Sequence, residues 1–430
     1  MTATDALAEP LAPVPAPEPP SDDLTPSQWM RANLFSGPVN TVVTVVAGLA
    51  ALYLIYRLGR WAFVTSDWEI VRANLRLFMV GRFPDDELWR PWLSGYVLAA
   101  ALGLASGAVV TSAKEVADAQ AGEDPAQAAE PEEDTGLWGL AHRFWPLAAA
   151  GLIVLSLTRT ILPTLLTIVL VAVFVGARVL GARLPRGVRR WTWLIVVAGL
   201  VASLVIVTGF GGIGWEDWGG LHLNVAASVA GIALAFPLGL LLALGRRSNL
   251  PGLRVLSVGY IELFRAVPLV ALLFVSRYMI GFLFPTQVEP PSYLVRAVIV
   301  ITLFEAAYIA EIVRGGLQAV PKGQVEAAQA IGLSPTRVMR LVVLPQALRA
   351  VIPAMVGQFI SLFKDTSLLS IISFFEMLAV AEVATEQDRF RGQGGQVVTL
   401  VFVGLLFWAG CSTMARESRR LERRLGVGER

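Results

Sequence analysis

The sequence predicts an all-α, polytopic membrane protein, a helical bundle of nine or ten spans, and three observations carry the prediction. Of 430 residues, 55% are hydrophobic and 16% charged, against about 25% charged in an average soluble domain. Apolar runs of about 20 residues, the length that crosses a bilayer, recur along the chain. Clusters of Arg fall between those runs, where the positive-inside rule orients spans. The same composition narrows the function. One cysteine, Cys411, makes neither an internal disulfide nor a multi-cysteine metal site. His142 and His222 lie far apart in the sequence with no Cys/His partner nearby, so a structural or interfacial role is expected of each. The chain has no GxxxxGK[ST] pattern, so ATP hydrolysis is expected elsewhere. No cofactor, metal or nucleic-acid partner is implied, and the chain does not read as an enzyme.

Residues 1–35 open the chain as a Pro/acid-rich tail without the basic n-region and apolar core of a signal peptide. Seven prolines fall within the first 26 residues, beside Asp5, Glu9, Glu18, Asp22 and Asp23. Such a stretch buries too little surface to order itself, so disorder is expected and the first membrane helix serves as an uncleaved insertion signal. The candidate spans are 38–56, 92–112, 161–181, 191–210, 220–245, 264–285, 293–313, 346–363 and 396–415. A shorter apolar run, 145–158, is set off from the next by Arg159 and Pro163. It reads as a tenth span, a re-entrant piece or the start of one long kinked helix.

Polar inserts interrupt the N-terminal membrane extension, 36–215, at 57–91 and 113–143. The first holds Arg57, Arg60, Arg72, Arg76, Arg82 and Arg90 with Trp61, Trp68 and Trp89, which suit a membrane interface. Within it, the stripe Ile70, Leu75, Leu77, Phe78 makes a helix that lies along the lipid surface or belongs to an ordinary loop. The second holds eight acids and one lysine within 113–135, and reads as a solvated loop. Arg246, Arg247 and Arg254, then Arg314, Lys322, Arg337, Arg340 and Arg349, then Arg416, Arg419, Arg420, Arg423 and Arg424 place three regions in the cytoplasm, the last being the basic tail 416–430. Arg183, Arg186, Arg189 and Arg190 place 182–190 on the same side. An Arg-rich 57–91 loop inside fits nine spans, whereas ten spans put that loop outside and the N-terminus in the cytoplasm. The two remain open at this point.

The segment QAVPKGQVEAAQAIGLSPTRVMRLVVLPQALRAVIPAM, 318–355, carries its own secondary-structure signals. Val325 to Ile331 reads as a short helix stopped by Gly332. Ser334-Pro335 restarts a helix as N-cap and N1, and Pro345 and Pro353 interrupt the return into the membrane. The product is a helix–turn–helix beneath the bilayer that shows Glu326 and the small Ala327, Ala328 and Ala330.

Glu326-Ala327-Ala328, three residues, Gly332, nine residues, then Val342-x-Leu344-Pro345 resembles the EAA motif of ABC importer permeases, with Val342 where Ile is usual. The stretches 260–274, 305–334 and 362–373 (YIELFRAVPLVALLF, EAAYIAEIVRGGLQAVPKGQVEAAQAIGLS, LFKDTSLLSIIS) are similar to the polar amino acid branch of that family. Arg265-Ala266-Val267-Pro268 stands where the branch reads Arg-Gly-Thr-Pro or Arg-Gly-Val-Pro. The resemblance covers 220–415, and the overall layout is similar, more loosely, to one of two permeases in general L-amino acid importers. It implies a five-span importer core at 216–415 with a cytoplasmic coupling loop at 315–345, in which Glu326, Ala327, Ala328, Gly332, Leu344 and Pro345 engage an ATPase. It also implies an inner-membrane assembly containing two copies of an ABC ATPase, a second homologous permease and a periplasmic amino-acid-binding protein, with several polar or general L-amino acids as cargo.

Ionisable residues at membrane depth are costly and mark ion or substrate pathways. A zwitterionic amino acid needs opposite charges near its two ends, and Arg265 and Glu305, on neighbouring spans, supply one each. Lys364, Asp365, Thr366 and Ser367 fall where a helix breaks, which is tolerated at membrane depth only against protein or water. These six are the candidate substrate path. The competing structural role is pairing along one helix face, Glu262 with Arg265 and Glu311 with Arg314. Arg277 snorkels or meets a neighbouring helix. The alternative function is a secondary amino acid transporter working without an ATPase. Such a protein has no use for the helix–turn–helix and more often shows paired repeats.

Overall fold

The computed structural model describes residues 25–121, 139, 142–189, 191–209 and 212–424. Among them no strand occurs. Seven helices are long and apolar enough to cross a membrane; the bent pair Pro251–Ala266 and Leu269–Leu283 makes an eighth, and Trp145–Ser156 and Leu194–Thr208 are shorter apolar helices. The chain divides into two compact units, Met1–Ser66 and Asp67–Arg430.

The first unit holds α1 (Pro26–Asn33) and α2 (Pro38–Arg60). The α1 helix lies inside the stretch read as a disordered tail. It is started by a capping box: Gln28 N–H donates to Thr25 Oγ1 at 3.4 Å, and Thr25 N–H donates to Gln28 Oε1 at 3.0 Å. Residues 1–24 lie outside the described residues. Thr44 Oγ1 donates to Leu34 O at 2.7 Å, and α2 runs on into a π-turn at Trp61–Thr65.

In the second unit, α6 (Leu162–Ala182) and α7 (Thr192–Thr208) both pack along α4 (Trp89–Ala121). Tyr96 bonds Leu166 O at 3.2 Å and Thr111 bonds Ala182 O at 3.3 Å, so α4 and α6 run parallel. Arg90 donates to Ile206 O and Gly209 O at 2.7 and 3.0 Å, so α7 runs antiparallel to them. Small residues let these backbones meet: a Cβ on Gly103 would lie 2.5 Å from Phe174 O. The α4 helix continues to Ala121, through the first part of the expected acidic loop; 122–138 lie outside the described residues. The short run at 145 is its own helix, α5 (Trp145–Ser156). It packs on α15 (Gln396–Arg424) through Trp145–Trp408, with ring centroids 5.6 Å apart, and through Arg143 Nε to Glu417 Oε1 at 2.6 Å.

The C-terminal core is built on α11 (Tyr293–Ala319), 67% of whose most apolar window is buried. Along it α8 (Gly220–Arg246) runs parallel, Gly231 facing Ile301 and Gly239 facing Ala306 and Ile309. On another side α13 (Leu344–Asp365) runs antiparallel, with Gln358 beside Glu305 and Ala347 beside Gly316. The expected span 264–285 is instead two arms, α9 (Pro251–Ala266) and the helix from α10 (Leu269–Phe274) to Leu283, bent by 99°. Val267, held extended at φ −100° and ψ 133° before Pro268, makes the break.

The amphipathic segment of the Arg-rich insert is α3 (Glu69–Val80), and its stripe faces protein rather than lipid. Ile70 and Phe78 are fully buried and Leu75 nearly so. They pack against α8, α14 (Met377–Glu386) and α15. The α3 helix meets Gly219 and Gly220 at the start of α8, while at the far end of α8 Arg247 donates to Leu317 O, next to α12 (Lys322–Ala330). So α3 and α12 occupy opposite ends of the bundle.

Candidate functional site

The α12 turn is closed by local chemistry. Gly332 adopts φ +83°, its N–H donates to Gln329 O at 2.9 Å, and Leu333 N–H donates to Ala328 O at 3.2 Å. This pair of bonds is the Schellman arrangement that glycine at C′ allows. Ser334 and Pro335 then restart the helix, although the Ser334 side chain makes no capping bond. Pro345 does not interrupt the return: Pro345 has no N–H to bond back, and the chain widens instead into a π-turn at Met339–Val343, with Leu344 N–H reaching Met339 O. The helix continues through Pro353 into α13.

The loop is rooted on one side and open on the other. Ala328 is buried against the cluster of Val313, Leu317, Val338, Val343 and Ala347. Glu326, Ala327, Gly332 and Pro345 are exposed and Leu344 is half-buried. Through Ala328, α12 is thus in direct packing contact with α11 and α13.

One ion cluster stands near this end. Glu311 takes Arg246 at 3.1 Å, Arg265 at 3.8 Å, and Arg314, one helical turn along α11. The Glu311–Arg314 pair is the one local spacing suggests. Arg265 reaches across helices to Glu311, with its guanidinium 5.7 Å from the Tyr308 ring centroid. The structure does not bring Arg265 to Glu305, which lies almost two turns away from Glu311 on α11.

Deeper in the bundle Glu305 is fully buried and accepts from Gln358 Nε2 at 3.0 Å. Its Oε1, and Thr302 Oγ1 one turn earlier, have no protein partner. Lys364 is exposed and Asp365 half-buried at the end of α13. The chain then tightens into the 3-10 turn Thr366–Ile372 and turns at Ser373, φ +69°. Thr366 is fully buried and Ser367 is half-buried, its carbonyl accepting from Ser370 Oγ at 2.7 Å. A buried polar knot that sequence reasoning missed fixes this turn. Asn224 Nδ2 donates to Thr366 Oγ1 at 3.0 Å and to Glu376 Oε2 at 3.1 Å, and Asn224 Oδ1 accepts from Met377 N–H at 3.2 Å. Glu376 also caps α14, accepting from Ala379 N–H at 2.9 Å. A lone Asn in the apolar run that opens α8 was the available signal. His222 packs on the rings of Phe83 and Trp218, with centroids 6.0 and 4.9 Å away. Arg277 meets a neighbouring helix, 3.7 Å above the Tyr293 ring centroid.

An all-helical membrane bundle with a rooted, outward-facing EAA turn defines the permease subunit of an ABC importer. The chain belongs to the family described as the binding-protein-dependent transport system inner membrane component, which matches residues 235–427, and it is a multi-pass inner-membrane protein. It is 32% identical over 415 residues to the inner membrane amino-acid ABC transporter permease protein YhdY of Escherichia coli, covering 93% of each chain. It is 33% identical over 460 residues to the glutamate/glutamine/aspartate/asparagine transport system permease protein BztC of Rhodobacter capsulatus, covering 97% of each. Among solved structures, an amino acid ABC transporter crystallised with histidines is 26% identical, with a TM-score of 0.42 over 47% of this chain and 90% of the other.

Proposed function

We propose that this permease takes amino acids across the inner membrane on the power of a separate ATPase, which it engages through α12. One observation carries the coupling: Glu326 and Ala327 stand exposed on a helix stopped by Gly332 and rooted through Ala328 in α11 and α13. Leu344 and Pro345 frame the same turn. Amino acids as cargo are supported by the relatives, one named for amino acids and another for glutamate, glutamine, aspartate and asparagine. The path candidates are Glu305 and Lys364–Ser367, with Arg265 at its cytoplasmic side. The expected assembly has two ATPase copies, a second homologous permease and a periplasmic binding protein, since one loop fills one ATPase cleft.

The topology that fits is ten crossings. What supports this reading is the alternating directions of α15, α13, α11, α9–α10, α8, α7, α6, α5 and α4, which lead from a cytoplasmic α12 to a periplasmic α3. The α2 helix then starts in the cytoplasm. A tandem cysteine-accessibility measurement at Arg72 and at the 1–24 tail checks this; equal labelling of both from the periplasm refutes it.

The coupling test is Glu326→Lys in liposomes with the purified ATPase and loaded binding protein. The variant is expected to insert and assemble yet lose substrate-stimulated hydrolysis. Wild-type stimulation refutes the coupling role, and uptake without ATP in the wild-type protein establishes the secondary transporter instead.

A further inference from the structure

The α3 helix belongs to the N-terminal extension, yet its contacts are with the core, and they converge on α14. At the C-terminal end of α14, Asn74 and Gln387 form a reciprocal amide pair: Gln387 Nε2 donates to Asn74 Oδ1 at 2.7 Å, and Asn74 Nδ2 donates to Gln387 Oε1 at 3.3 Å. Asn74 is buried. A reciprocal pair satisfies a donor and an acceptor on each side at once, so it fixes distance and orientation together. Beside it, Glu69 accepts from Arg389 at 3.3 Å and from Arg159, which follows α5. At the N-terminal end of α14, Phe375 O accepts from Gly220 N–H at 2.8 Å. A Cβ on Gly219 would lie 2.7 Å from both Phe375 O and Gly81 Cα. Arg82 sits 4.6 Å from the Phe375 ring centroid. Ile70 closes against Gly395, where a Cβ would lie 2.7 Å from Ile70 Cδ1.

The α14 helix is only ten residues long and follows the 3-10 turn Thr366–Ile372. Between them stand Ser373 in the left-handed region and the knot of Asn224, Thr366 and Glu376. A helix that short is not stable on its own and takes its position from what it packs on. Here that is α15 along its length, α3 through Asn74 at its C-terminal end, and at its N-terminal end the start of α8, which Gly81 at the end of α3 backs.

We propose that α3 is a fixed brace for α14. The Asn74–Gln387 pair holds one end and the Gly81–Gly219–Phe375 backbone contact holds the other, so the turn 366–376 works against an immobile support as substrate passes. Asn74, Gln387, Gly81 and Gly219 are positioning residues in this scheme, and none touches cargo. The extension thereby gains a role in transport that a membrane anchor would not have. The inference rests on the reading of 364–367 as part of the path, and its test is arranged to fail separately from that reading.

The test uses the full assembled complex in a Cys411→Ser background, which removes the only native thiol. Asn74→Cys with Gln387→Cys, joined by a short bis-maleimide, is expected to keep uptake within about twofold of the unjoined pair, because a static contact loses nothing on being tethered. A block of uptake on tethering overturns the brace and makes the contact a moving one. Gln387→Leu, at a half-buried position, is expected to lower maximal uptake by about fivefold, the loss that follows an unsatisfied buried amide. The binding-protein concentration for half-maximal uptake should not change. Exchange of the pair, Asn74→Gln with Gln387→Asn, should restore most of the rate; uptake is normalised to assembled complex, so a merely destabilising change would lower assembly and leave the normalised rate unchanged. Unchanged maximal uptake in Gln387→Leu overturns the brace. The path reading fails on its own if Thr366→Val transports every amino acid normally while Gln387→Leu does not.

Discussion

Gly332 separates two reasons for a glycine in the α12 turn: a backbone that needs it, or a partner surface that leaves no room for a side chain. At φ +83° an L-residue is strained, and a Cβ there would meet no atom of this chain within 4 Å. The intrinsic cost is therefore backbone alone, about 1–2 kcal/mol for an ordinary residue, less for Asn and more for a β-branched one. The two bonds that close the turn contribute about 0.5–1.5 kcal/mol each, so the strain is as large as one of them. A shift of that size changes the closed-to-open ratio of the turn by about 5- to 30-fold. Substrate-stimulated ATP hydrolysis in liposomes should then fall in the order Gly, Asn, Ala, Val, with assembly intact across the series. Gly332→Val stimulating like wild type would refute the need for a closed turn. Asn performing as badly as Val would refute the backbone explanation and assign the constraint to space in the ATPase cleft.

The Glu311 cluster predicts that Glu311→Gln, which leaves Arg246, Arg265 and Arg314 without their shared carboxylate, costs about 1–3 kcal/mol after allowing for partial exposure. Arg265→Gln should cost under about 1 kcal/mol, because it stands 3.8 Å away with 41% of its side chain exposed; equal losses of melting temperature in detergent would show that Glu311 is no hub. Glu305→Gln keeps the size of the side chain and a bond to Gln358 while removing the charge. If Glu305 lines the path, uptake of acidic, basic and neutral amino acids should change unequally per assembled complex, and a uniform fall removes Glu305 from the path. Glu376 lies between α13 and α14, outside the apolar spans, and burial pushes its carboxyl above the usual carboxylate range. The folded state then binds more protons than the unfolded one, so stability falls as pH rises from the ordinary carboxylate range through the raised value. Glu376→Gln should flatten that slope in melting-temperature measurements, and an unchanged slope would assign it to another group.

What the sequence reveals here is what short stretches of chain decide. The long apolar helices follow from the apolar runs, apart from 264–285, which breaks at Val267-Pro268 into two arms, and the α12 turn follows from Gly332, Ser334 and Pro335, all within four residues of one another. Partners across the bundle do not follow. Local spacing offers Glu262 to Arg265, but helix packing delivers Glu311 from α11. Asn224 meets Thr366 and Glu376, 142 and 152 residues away, and a single polar residue in an apolar run says only that some partner exists. The stripe Ile70, Leu75, Leu77, Phe78 fixes which face of α3 is apolar. Periodicity alone cannot tell whether lipid or α14 covers that face.

The Arg-rich insert shows why counting charge is least informative at that end. Arginine orients a span when it must be kept with water on the cytoplasmic side. Here the protein itself receives the charges. Arg76 bonds Asp85 at 2.9 Å and Phe83 O. Arg90 bonds Glu87 at 2.5 Å and two carbonyls at the end of α7, where the helix dipole also favours a cation. Arg82 lies over Phe375. Folding thus places at the end opposite α12 a set of arginines that a sequence count assigns to either side. The geometry of α8 supports the ten-crossing reading: one end of that helix meets α3 and the other lies next to α12.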